Sequence, residues 1–271
     1  QTSIPITETP IPPTQTVTPT LTPTTIPTLS VDDAHKRLLD LLANNGGCNL
    51  PCLWGITPGK SSYLDARSIL LPLSGIAETA YFDFTSSPVD DISPLYVESD
   101  LRLKTRVAYV YDNDGVVNYI SFRAIEQQLS KDEYGNQLTT PIFDSPTFLK
   151  RVQYYSLSHV LSEQGMPDSV MVQTYSEVVG GTMDIALLYP AQGIWANYTM
   201  VTISPNGIVK GGCPANAYIN MFLATPGNPD AFFSLLDKTD WGATKVGYKT
   251  LEEVTSMSVE QFYETFRQPT D

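Results

Sequence analysis

Apolar positions change their spacing along this chain, and the changes divide it into elements. Ala34, Leu38, Leu39, Leu41 and Leu42 recur at helical spacing, which predicts an amphipathic helix over 31–45. Ser30 is a suitable N-cap, and Asp32 and Asp33 put negative charge in the first turn. Asn44-Asn45-Gly46-Gly47 ends the helix. A second helix is expected over 62–71, entered through Gly55-Ile56-Thr57-Pro58-Gly59-Lys60-Ser61. The spacing then shortens to two. Strands are expected near 80–84 and 95–97, and a hairpin joins 106–111 to 116–123 through Asn113-Asp114-Gly115, where Asp-Gly is a strong turn signal. Residues 126–147, with Tyr134-Gly135-Asn136, Pro141 and Pro146, read as a linker or insertion.

The second half repeats the plan. Leu157, Val160 and Leu161 mark one face of a helix over 156–164, ended by Gly165-Met166-Pro167-Asp168. Strands are expected over 169–176, 182–189 and 194–203, with shorter ones at 208–210 and 218–225. Helices at 230–236 and 258–267 close the chain, the last capped by Ser258 with Gln261 three residues on. The expected fold class is α+β: two tandem helix-plus-antiparallel-sheet units, with an extended N-terminal Thr/Pro arm and a helical C-terminal tail. The boundaries are 1–30 for the arm, 31–125 for the first unit, 126–150 for the linker or insertion and 151–271 for the second unit.

The pattern fails in the first thirty residues. Eleven are Thr, seven are Pro, and Glu8 is the only charge. Such a stretch favours extended, polyproline-II-like backbone and cannot bury a core alone. Its apolar residues Ile4, Ile6, Ile11, Val17, Leu21, Ile26 and Leu29 recur every two to six positions. Burying all seven contributes on the order of 10–20 kcal/mol. Ordering thirty backbones costs about 1–2 kcal/mol each. The arm is therefore expected to be held by contacts outside its own sequence, such as a sheet edge or a groove on a neighbouring subunit. The bland alternative is a glycosylated spacer, with Thr18, Thr20, Thr22 and Thr24 as the acceptors.

Composition narrows the setting. The 271 residues carry 29 acidic and 16 basic side chains, a net charge of −13, and no Lys/Arg cluster is expected. Nucleic acid and anionic membrane surfaces are excluded as expected partners. No run of eighteen apolar residues occurs, so no membrane-spanning helix is expected. The chain opens at Gln1 directly in low-complexity sequence. A processed N-terminus is the expectation, with any membrane attachment through a lipid anchor upstream of Gln1. Cys48, Cys52 and Cys213 are the three cysteines. A short Cys48–Cys52 loop is feasible, and so is a bridge from either to Cys213. With His35 and His159 as the only histidines, no zinc site is expected.

Gly55-Ile56-Thr57-Pro58-Gly59 before a helix, the phrase Leu157-x2-Val160-Leu161-x3-Gly165-x-Pro167-Asp168, and the hairpin at Asp114-Gly115 resemble the small lipoproteins of the SmpA/OmlA (BamE) type. They also resemble the β-lactamase inhibitor protein fold, which duplicates a helix-pair-plus-sheet unit. Cys48-x3-Cys52-x-Trp54-Gly55-Ile56-x-Pro58-Gly59 is similar to a motif of uncharacterised bacterial surface lipoproteins. The resemblance spans about residues 48–210. It implies binding or assembly rather than catalysis.

Catalytic and cofactor signals are weak, and none is nominated. Gly55-x3-Gly59-Lys60-Ser61 is one residue short of a phosphate loop, and Pro58 removes an amide donor. Asp112-Asn113-Asp114-Gly115 starts like a calcium loop, but its twelfth position is Arg123 where Glu is required. Asp90-Asp91 is an alternative acidic site. His159 reads as structural, with a serine partner as the catalytic alternative. Asn197-Tyr198-Thr199 is a glycosylation sequon. Tyr81, Phe82, Phe84, Tyr96, Tyr109, Tyr111, Tyr119 and Phe122 read as packing residues, and Tyr154, Tyr155, Tyr189, Trp195 and Tyr198 as candidates to line a concave binding sheet. The leading function is a non-enzymatic extracellular assembly protein whose arm engages a neighbour, through self-association or another surface protein. The alternatives are a surface-tethered module binding a peptide, glycan or protein, and a hydrolase of unfamiliar type.

Overall fold

The structure is a computed structural model that describes residues 28–81, 89–142, 145–175, 182–201, 218–228, 232–233 and 247–268. Two helices lead, α1 (Val31–Asn44) and α2 (Tyr63–Leu70). Five strands follow: β1 (Ala77–Tyr81), β2 (Val89–Glu98), β3 (Leu101–Tyr111), β4 (Val117–Lys131) and β5 (Gln137–Ile142). Helices α3 (Pro146–Arg151) and α4 (Leu157–Gln164) then precede β6 (Ser169–Tyr175), β7 (Thr182–Tyr189), β8 (Ile194–Val201) and β9 (Tyr218–Ala224). The described chain ends with the two-residue β10 (Lys249–Thr250), α5 (Leu251–Val254) and α6 (Val259–Phe266).

All ten strands join one antiparallel sheet in the order β1-β2-β3-β4-β9-β8-β7-β6-β10, with β5 also on β4. The class is α+β and dominated by the sheet. β4 is long enough to hold two partners end to end on one edge: Tyr119–Ala124 pair with β9, and Glu126–Lys131 pair with β5. The segment expected to be a linker or insertion is thus folded as a hairpin. Polar Glu126-Gln127-Gln128 hid the strand's continuation, because β4 crosses there into a region where both partners are also strands.

Local signals set the helix ends as expected. The Ser30 hydroxyl accepts the Asp33 N–H at 3.2 Å. Ser62 and Ser258 head reciprocal capping boxes with Asp65 and Gln261. The Asp112 carboxylate accepts the N–H groups of Asp114 and Val116 at 3.0 and 2.9 Å. The Asp-Gly segment is therefore an ordinary hairpin turn rather than a calcium loop. Gly59, with φ +77°, donates its N–H to Val117 O. A Cβ there would lie 2.5 Å from the Thr225 side chain, so the glycine serves a close backbone approach and not a phosphate.

Alternation along the strands splits the sheet into two faces. Ala34, Leu38, Leu41 and Leu42 of α1, Leu70 of α2, Leu157, Val160 and Leu161 of α4 and Phe262 of α6 share one core with Val107, Phe122, Ile185, Ala196, Tyr198, Met221 and Leu223. Tyr155, Tyr189 and Tyr198 belong to this core and are at most 1% exposed. Trp195 packs on the other face, against Phe222, Leu188 and Phe232. These four rings do not line a binding surface: strand alternation turns Tyr189, Trp195 and Tyr198 into packed interior, and Tyr155 is buried from the helical turn before α4. Asp90 and Asp91 point apart for the same reason. Asp90 accepts from the Tyr109 hydroxyl on the helix side, and Asp91 accepts from Arg106 Nε on the other. They form no joint acidic site.

A polar knot in the core ties the leading helices to the later ones. Trp54 Nε1 donates to the Tyr155 hydroxyl at 2.9 Å, and that hydroxyl donates to Asn45 Oδ1 at 2.9 Å. Asn45, fully buried and left-handed at φ 54°, also accepts the Trp54 N–H and donates its amide to Cys48 O and Cys52 O. Phe122 packs between the two aromatics, 4.6 Å from Tyr155 and 5.8 Å from Trp54. Arg151 supplies a second tie: it pairs with buried Glu126 and with Glu98, and its guanidinium sits 4.8 Å from the Tyr96 ring.

Tyr155→Phe keeps the ring but strands the buried Trp54 N–H. The expected cost is about 1–3 kcal/mol, read from the urea midpoint at unchanged slope; a loss under about 0.5 kcal/mol would mean that the knot does not hold the helices.

Candidate functional site

The site candidates follow from the two-faced sheet. On the face away from the helices, residues 232–233 and 247–248 cover the second meander, where Phe232 and Tyr248 pack on Ala186, Leu188, Trp195 and Phe222. Over the first meander that face carries a pocket of about 550 Å³. Its walls come from β1 to β4 and β9, and include Thr79, Ser93, Gln127, Ile125 and Tyr218 beside the charged Asp91, Lys104, Arg106 and Arg123.

Strand register puts the charges together. Arg102, Lys104 and Arg106 are alternate residues of β3 and so share a face. Arg106 pairs across the ladder with Arg123, and Arg123 in turn with Asn220. Glu78 of β1 binds Lys104 at 2.6 Å and Arg102 at 2.8 Å. These cations hold its carboxyl below the usual carboxylate range. Arg106 Nε reaches Asp91 Oδ2 at 2.6 Å. Arg123 is exposed, and its guanidinium lies 5.6 Å from the Tyr218 ring centroid. No carboxylate pairs with it among the described residues. The Tyr218 phenol is pushed up to about 12, chiefly by burial; Arg123 and Arg106 pull it down and Asp184 pushes it up. This basic face was legible in principle. A cluster read along the sequence is diluted by Leu103 and Thr105, whereas a strand period of two isolates Arg102-x-Lys104-x-Arg106.

A second pocket, of about 510 Å³, lies on the helix side between α3, α4 and α6, lined by Lys150, Ser156, Ser158, His159, Ser162 and Tyr263 among others. The His159 ring packs 4.6 Å from Tyr154, and among the described residues its Nε2 has no hydrogen-bond partner. The serines do not bond to the ring; Ser156 Oγ instead accepts the His159 backbone N–H as the N-cap of α4. Among the described residues no group of three or more His, Cys, Asp or Glu side chains converges as a metal site.

Cys48 and Cys52 form a disulfide, their Cα atoms 5.9 Å apart. Cys213 lies outside the described residues. Such bonds persist in oxidising compartments, which fits an exported protein. Ile4, Ile6, Ile11, Val17, Leu21 and Ile26 of the arm, and Thr18, Thr20, Thr22 and Thr24, also lie outside the described residues. Leu29 is 36% exposed and donates its N–H to Pro72 O at 3.3 Å. Asn197 of the sequon is 1% exposed within β8, so the folded protein offers no glycan acceptor there.

No family model matches the chain, and no curated protein matches it. Among solved structures it is similar to the di-domain ARO/CYC StfQ from the steffimycin biosynthetic pathway, at 9% identity, with 86% of this chain and 94% of that chain covered. The TM-score is 0.14, a level at which the likeness carries no argument. What the arrangement can do is set by its own chemistry: a cationic pocket with several hydroxyls and the Gln127 amide suits reversible binding of a polar ligand.

Because the folded pKa of Glu78 is depressed, the stability it contributes is present above the ordinary glutamate range near 4.5 and is lost as pH falls below it. The pair is largely exposed, so Glu78→Gln should cost under about 1 kcal/mol at neutral pH. Thermal melts of wild type and variant should converge near pH 3; a gap that stays constant with pH would rule out the ion pairs.

Proposed function

We propose that this protein is an exported, non-enzymatic binding module that takes its ligand on the sheet face opposite the helices. The observation that carries the reading is the open-face pocket, where five strands converge polar side chains on a volume within the usual range for ligand sites. The element order supports two tandem units. A helix pair and a four-strand meander occur twice, and the meanders meet through their last strands, β4 and β9. This is the arrangement expected from the resemblance to the SmpA/OmlA-type lipoproteins and the β-lactamase inhibitor protein fold. The disulfide and the Thr/Pro leader support a place outside the cell, with the leader as tether.

A defined array of glycans and peptides tests the reading. Wild-type protein should give discrete hits, and Ile125→Glu in the pocket should abolish them while Leu64→Glu on α2, where Leu64 is 58% exposed, should not. Hits that survive Ile125→Glu would place the ligand elsewhere and end the proposal.

One observation favours the assembly role as a second reading. Leu29 meets Pro72 in the turn that leads directly into β1, the edge strand of the sheet. The root of the arm therefore lies near a strand that has one partner among the described residues, which suits strand addition between copies. Deleting residues 1–27 should then abolish assemblies seen by light scattering and electron microscopy; equal assembly with and without the arm excludes the role.

A further inference from the structure

We infer that the open-face pocket recognises an acidic sugar, its carboxylate seated on Arg123 and its hydroxyls on the polar lining; this rests on the reading of that face as the binding surface. The local charge runs against the chain's own. The protein carries a net −13, yet this face gathers Arg102, Lys104, Arg106 and Arg123 against Glu78 and Asp91. Arg102 and Lys104 share the single Glu78 carboxylate, and Arg106 holds Asp91. Arg123 has the Tyr218 ring and no carboxylate among the described residues.

Like charges directly opposite each other weaken a sheet, and Arg106 faces Arg123 across the β3–β4 ladder. An anion between the two guanidinium groups relieves that repulsion. The Arg123 guanidinium carbon lies 5.6 Å from the Tyr218 ring centroid, and with no carboxylate on it among the described residues its N–H fork suits a planar, bidentate acceptor. A carboxylate suits better than a phosphate. Arg106 already takes one, and Asp91 in the wall opposes a second negative charge. The rest of the lining, Thr79, Ser93 and Gln127 with the apolar patch of Ile125, is chemistry for hydroxyls and a sugar's carbon face. Along the same row, buried Asn220 and Asn197 are 2% and 1% exposed, and among the described residues their Oδ1 atoms have no hydrogen-bond partner.

Isothermal titration of the full chain with D-glucuronate, glucose and N-acetylglutamate tests this. Glucuronate should bind more tightly than either, and should weaken as salt is raised from about 0.05 M to about 0.5 M. Arg123→Gln should reduce its affinity about tenfold or more, as loss of a charge-assisted bidentate contact predicts. Lys150→Gln in the helix-side pocket should leave it unchanged. Arg123 is exposed, and matching melting curves would show that its variant folds. Glucuronate binding no tighter than glucose, binding no tighter than N-acetylglutamate, or binding unaffected by Arg123→Gln each overturns the inference. A neutral or peptide ligand from the array that depends on Ile125 would leave the binding-face reading standing while this one falls.

Discussion

Asn45 is the constraint on which the leading half of the fold turns. It ends α1 in a left-handed conformation, fully buried, where an aspartate or glycine would satisfy the backbone but not the neighbours. Its side chain completes four contacts: the carbonyls of Cys48 and Cys52, the Trp54 N–H and the Tyr155 hydroxyl. Each partner is buried or part-buried, so each bond removes a group that would otherwise be costly to leave unpaired. The disulfide closes the same loop from outside. The result fixes the Cys48–Trp54 segment against α1 and clamps both to Tyr155, about a hundred residues later in the chain.

That clamp has consequences at the sheet. Tyr155 and Trp54 hold Phe122 between them, and Phe122 belongs to β4 beside the β4–β9 seam. Arg151 grips the same strand four residues further on, at Glu126. Apolar side chains of β3 and β4 pack on the helix side, with Thr105 and the Arg151-paired Glu126 as buried polar members, and Arg102, Lys104, Arg106 and Arg123 stand on the opposite face. There the aromatic residues near Trp195 and Phe222 are covered by Phe232 and Tyr248, while Arg106 and Arg123 are not. The position of the pocket is thus decided by what covers the neighbouring strands as much as by the pocket's own residues.

Much of the local structure was legible. Ser30, Ser62 and Ser258 announce three helix starts, Asp112 to Gly115 a hairpin, and the Cys48–Cys52 spacing a loop disulfide. Turn residues and prolines mark 126–147 as a linker or insertion, and the structure uses them within a hairpin: Tyr134, Gly135 and Asn136 lie in its turn and Pro141 lies in β5. Glu126 is buried in β4 with Arg151, a partner on a different element. Tyr189, Trp195 and Tyr198 are candidates to line a concave sheet on sequence alone, because alternation shows that a strand's two faces differ without showing which face a later segment covers. The basic stripe of β3 is hidden in the linear charge pattern, because Leu103 and Thr105 separate Arg102, Lys104 and Arg106 and only the strand period of two unites them.

The amino-acid sequence by itself determined the acidic balance and, from residues within a few positions of one another, helices α1, α2, α4 and α6, most described strands and the Asp-Gly hairpin turn. Only the tertiary structure decided that β4 joins β9, that the two meanders form one sheet, and that Arg106 and Arg123 stand side by side on its uncovered face. Those outcomes depend on strand register and on which side chains fill the space between distant elements. Neither can be read from local spacing, because the energy that selects them exists only once the partners meet.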